Sequence, residues 1–62
     1  MNITRKEFIK FIRDNKNLKS KITEGFNVSG IQYFNDKGDL LVGALYEKID
    51  GIVSSSYHLN EV

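Results

Sequence analysis

Few side chains in this chain of 62 residues are equipped for covalent chemistry. The lone histidine, His58, stands near Ser54, Ser56 and Tyr57. Residues two apart on a strand share a face, so His58 and Ser56 make a nominal base–nucleophile pair. Acid–base or nucleophilic catalysis also needs a third group to orient the base, in a cleft where all three converge. No such group is evident, so no catalytic residue is assigned and the chain reads as a non-enzyme. Asn35, Asp36 and Asp39 gather oxygens around Gly38. A calcium loop, however, places ligands at alternate positions over about twelve residues and closes with a bidentate Glu. Lys37 interrupts the run, which reads as a hairpin turn. There is no Cys, hence no disulfide and no thiolate metal site. Gly25 and Gly30 are isolated, so no phosphate-cradling loop or dinucleotide fingerprint exists. No cofactor, metal or small-molecule substrate is expected.

Recognition chemistry is better represented. Net charge is +1, but it is unevenly spread. Residues 1–25 hold seven basic side chains against Glu7, Asp14 and Glu24, a balance of +4. Residues 26–62 hold Lys37 and Lys48 against five acidic side chains, a balance of −3. Lys6, Lys10, Arg13 and, if helical phase continues that far, Lys21 lie opposite an apolar stripe. They are candidate contacts for nucleic-acid phosphates. The basic side chains are mostly lysine, pI is about 8.0, and no exposed aromatics interleave with them. A solvated helix face, or an acidic protein partner, explains the same residues.

The elements that must position these groups begin with a helix. Thr4-Arg5-Lys6-Glu7 is a capping box, and Ile3 and Phe8 are spaced for a hydrophobic staple. Phe8, Ile9, Phe11 and Ile12 form an apolar arc of about 160°. A single helix running on to Ile22 would bring Lys16 and Lys19 into that arc, so a break near Asn15-Lys16-Asn17 is expected. A second short helix over 18–24, capped by Asn17 and stopped by Gly25, is expected after it; one bent helix is the alternative.

Two turn signals divide the rest of the chain. Asn35-Asp36-Lys37-Gly38 and Asp50-Gly51 carry the residues that tolerate the positive φ of tight antiparallel connections. They predict a β-meander over 27–59, with strands at 27–34, 39–48 and 52–59. Gly30 suggests a bulge or edge in the first strand, and Ser54-Ser55-Ser56 suggests that the third is an edge. A two-residue loop at Asp50-Gly51 pairs Ile49 with Ile52, Tyr46 with Ser55, Ala44 with Tyr57, and Val42 with Leu59. Leu40, Val42, Ala44, Tyr46, Val53, Tyr57 and Leu59 then share the core face. Leu41, Leu45, Ile49 and Ile52 point the other way. The first hairpin leaves two registers open. A three-residue loop puts Phe34 and Val28 on the core face; a four-residue loop puts Tyr33 and Ile31 there.

The expected fold class is therefore α+β: a single domain over 1–62 with one or two N-terminal helices (4–24) packed on one face of a three-stranded antiparallel meander. A chain this short buries roughly 60% of the surface its unfolded form exposes, which gives it a stability reason to use a partner. Tyr33, Leu41, Leu45, Ile49 and Ile52 are the candidate protein interface on the outer sheet face. The expected function is that of a small cytoplasmic interaction protein that binds a host protein or itself. Residues 1–4 run straight into a charged helix pattern and no apolar run approaches membrane length, so a cytoplasmic protein without a signal segment is the expectation. Richness in Lys, Asn and Ile over Arg and Ala fits an AT-rich genome, such as that of a low-GC bacterium, its phage or another mobile element.

Overall fold

Thr4 starts the helix in the manner its chemistry requires. Its hydroxyl accepts from the Glu7 amide at 3.1 Å, and the Glu7 carboxylate accepts from the Thr4 amide at 3.0 Å. These bonds hold the Glu7 carboxyl below the usual carboxylate range, the bond from the Thr4 backbone contributing most. In the computed structural model, which describes residues 1–60, helix α1 runs over Arg5–Asp14 and stops at Asn15. Asn15 Nδ2 donates back to the Phe11 carbonyl and Asn17 turns away at φ 70°. The expected break in the helical segment is where the sequence places it.

Beyond the break the chain does not form a second helix. Lys19–Gly25 is a β-strand, β2, paired antiparallel with β3 (Val28–Phe34) through Ile22 opposite Ile31. Two physical facts decide against the expected helix over 18–24. A helix of seven residues has too few internal hydrogen bonds to offset its nucleation cost, and Leu18 and Ile22 give it only one apolar pair to bury. The same residues as a strand satisfy both their own backbone and the open edge of β3. Asn17 is not a helix cap, because a cap needs extended backbone and Asn17 is left-handed.

Two further strands, β4 (Leu40–Ile49) and β5 (Ile52–Leu59), and the two-residue β1 (Asn2–Ile3) complete the fold. The structure is thus α+β, with one short helix and a five-stranded antiparallel sheet in the order β1-β5-β4-β3-β2. The expected three-stranded meander is present and extended by one strand at each edge. β1 pairs with the far end of β5, Asn2 opposite His58 and Ile3 opposite Tyr57.

The β4–β5 register is the one the turn demands. Asp50 and Gly51 both adopt positive φ, 52° and 79°, and Ile49 faces Ile52, Ala44 faces Tyr57, and Val42 faces Leu59. The β3–β4 connection combines features of both expected registers. Its loop is the shorter one: Asn35 and Asp39 close around residues 36–38, and Asn35 Oδ1 accepts from the Lys37 and Asp39 amides. Phe34 then pairs with Leu40, but Tyr33 pairs with Val42, leaving Leu41 without a partner in the ladder. This bulge reverses the alternation and gives the faces expected of the longer loop. Asn60 secures it: its amide donates to the Leu41 carbonyl and its side chain to the Leu40 carbonyl. Gly30 is neither bulged nor at an edge. It sits mid-sheet between Thr23 and Leu45, where an added Cβ would lie 3.1 Å from the Ala44 carbonyl oxygen.

The core lies between α1 and one end of the sheet. Phe8, Val42, Ala44 and Tyr57 are buried, with Ile3, Phe11, Ile12, Ile31, Tyr33 and Leu59 packed around them. Phe8 meets Tyr57 at a ring-centroid distance of 5.1 Å and Tyr33 at 6.1 Å. Small Ala44 leaves the helix room to approach.

Candidate functional site

The sheet face away from α1 has no covering layer among the described residues. Alternation from the β4–β5 ladder places Leu45, Ile49 and Ile52 there, with Gly43, Ser56 and His58. The expected outer face loses two of its members. Tyr33 lies on the helix side, against Phe8, because the bulge pairs it with Val42. Leu41 is the bulged residue, and Leu40 takes its place beside Leu45 in lining a groove of about 460 Å³ on the helix-free face. The groove is floored by Gly30 and Gly43 and walled by Val28, Leu40, Leu45 and Gln32. The two glycines differ in cause. A Cβ at Gly43 would meet its nearest atom at an ordinary 3.5 Å, whereas one at Gly30 would press on backbone.

Apolar side chains on both faces are exposed toward one end of the sheet. The Lys48 amide donates to the Asn27 carbonyl at 2.8 Å, which brings the β2–β3 turn beside the end of β4. Phe26 sits in that turn and is 94% exposed. Ile49 is 61% exposed, Ile52 71% and Val53 64%, and Val28 and Tyr46 are also on the surface. Sequence reasoning missed Phe26, Val28 and Val53 as surface residues. The signal for Phe26 was present in Gly25-Phe26-Asn27, a turn composition whose central side chain must point out.

Tyr46 and Tyr57 meet edge to face, with centroids 6.2 Å apart, at the boundary between the covered core and this bare end. Hydrogen bonding to Tyr46, then to Ser55, lowers the Tyr57 hydroxyl below the usual tyrosine range, and nearby Arg5 adds to the effect. The same contact with Tyr57 raises Tyr46. Arg5, Tyr46, Ser55 and Tyr57 thus form a polar cluster at the rim of the core.

The four candidate phosphate contacts are not brought together. Lys6, Lys10 and Arg13 share the outer surface of α1 with Arg5 and Ile9. Lys21 lies on β2 opposite Gln32, on the face away from the helix. The helical phase expected to carry it ended at Asn15. Ile9, expected in the buried stripe, is partly exposed among the basic residues.

Among the described residues, no cluster of three His, Cys, Asp or Glu side chains is placed to hold a metal ion. No helix there is long and apolar enough to cross a membrane. No protein-family model, curated protein or solved structure matches this chain, so the functional reading rests on its own geometry.

Proposed function

We propose that this chain is a small, non-enzymatic interaction protein that binds a protein partner through the helix-free face of its sheet. The observation that carries the reading is a five-stranded sheet covered by one short helix, with Leu45, Ile49 and Ile52 on its uncovered face. Large apolar side chains exposed together on one face of a small domain are a mark of interaction sites. The glycine-floored groove beside Leu45 supplies the relief into which a partner side chain fits. Among the described residues, no convergent nucleophile, base and orienting group competes with this reading.

The test is partner capture by in-cell crosslinking in the source organism, comparing the wild type with a Leu45→Glu, Ile49→Glu double variant. Circular dichroism checks that the variant is folded. A specific partner crosslinked to the wild type and lost from the folded variant is the expected result. A variant that keeps every partner of the wild type overturns the reading.

A further inference from the structure

The two long edges of the sheet differ in a way that the outer face does not explain. β2, at one edge, carries Lys19, Lys21 and Glu24 among seven residues. Charged side chains on an edge, lysines above all, oppose pairing with another strand. At the other edge, β1 covers β5 only at Tyr57 and His58. The segment Ile52-Val53-Ser54-Ser55-Ser56 has no β1 partner, and it contains no charge, no proline and no bulge.

The phase of its hydrogen bonds is set by its neighbours. The Leu59 amide donates to the Met1 carbonyl, so Leu59 faces the β1 side of the strand. In an antiparallel ladder alternate residues face alternate sides, so Tyr57, Ser55 and Val53 face that side too. Ile52, Ser54 and Ser56 face β4, consistent with the tight turn that pairs Ile49 with Ile52. The amides and carbonyls of Val53 and Ser55 are therefore the free edge. Val53, 64% exposed, adds apolar surface next to them.

We infer that this edge is a self-pairing site: two copies of the chain join antiparallel through the Ile52–Ser54 segments of their β5 strands, Val53 facing Val53, with the outward Ser55 amide at the end of the contact, and make one continuous sheet. A second copy fits the edge because an uncharged strand meets no like charge when it pairs with itself about a twofold axis. β1 and the start of α1 occupy the edge beyond Ser56, which keeps the pairing to this segment. A contact this short buries less than a standard interface of about 1,600 Å² and is reversible. The inference uses a different surface from the outer-face reading and stands apart from it.

The experiment is sedimentation equilibrium of the purified chain from about 10 µM to 1 mM, the range that reports weak association. The mass rises with concentration from 7.1 kDa toward twice that value. Ser55→Pro removes an outward N–H without touching the β4 ladder, and Val53→Lys places a charge on the edge; each holds the chain at monomer mass while its circular dichroism stays that of the wild type. A wild type that remains monomeric throughout, or a folded Val53→Lys variant that associates as the wild type does, overturns the inference. Purified protein contains no other partner, so failure of the outer-face reading leaves this readout unmoved.

Discussion

The two ends of the sheet are built from the same strands and similar residue types, yet only one is a core. At the covered end, Ile31, Tyr33, Val42, Ala44, Tyr57 and Leu59 pack under Phe8, and Val42 has no exposed surface at all. Further along the same face, at the bare end, Tyr46 and Val53 continue β4 and β5 and stay on the surface. The difference is one of length. A ten-residue helix spans about 15 Å, whereas a ten-residue strand spans about 33 Å. α1 and β4 have ten residues each, and the molecule is 37 Å along its longest axis. A helix as short as α1 covers about half of such a strand, so residue type alone does not decide burial here.

Truncations at the two ends turn this comparison into numbers. Phe8→Ala removes the buried ring that joins helix to sheet and costs about 3–5 kcal/mol. A domain this small has about that much stability in total, so the expected outcome is loss of the cooperative urea transition at 25 °C.

Thr4→Ala acts on the same end more gently, because it deletes the cap but no packing. It lowers stability by about 1 kcal/mol, seen as a lower urea midpoint with unchanged slope. The capping box also gives this end a pH dependence. The Glu7 carboxyl is held below its unfolded value. Its contribution is therefore present above the unfolded-state pKa and is lost as pH falls through the folded-state one.

Val53→Ser at the bare end has the smallest effect, within about 0.5 kcal/mol of the wild type. A cost for Val53→Ser near that of Phe8→Ala, measured on dilute protein, would erase the distinction between the two ends.

How far the fold is legible in the sequence depends on whether its determinants are local. The β4–β5 register comes from Asp50 and Gly51, whose positive φ angles leave one tight turn and one pairing. The helix start comes from four adjacent residues. β2 is not legible in the same way. Lys19–Gly25 is exposed throughout and has one aliphatic residue, so neither helical nor strand periodicity stands out. Its conformation is set by the waiting edge of β3, which no local pattern reports. β1 escapes for the opposite reason: two residues are too few to show alternation. The bulge at Leu41 hides inside an unbroken apolar run, where shifting the alternation by one leaves the pattern equally apolar. That shift moved Tyr33 into the core and put Leu40 at the groove. Leu45, Ile49 and Ile52 were readable on the outer face because the local Asp50-Gly51 turn fixes their register.

The pairing of β1 with β5 sets the order in which this molecule can assemble. Every other ladder joins strands that are consecutive in the chain, so each can close over a short loop. Positions 2 and 58, by contrast, meet only when nearly the whole chain between them is already in place. Loop-closure entropy makes such a contact slow to gain, and two paired residues return little for it. The hairpins from Lys19 onward therefore form a template first, and the β1–α1 segment docks afterwards as a clasp, carrying Phe8 into the site that completes the core.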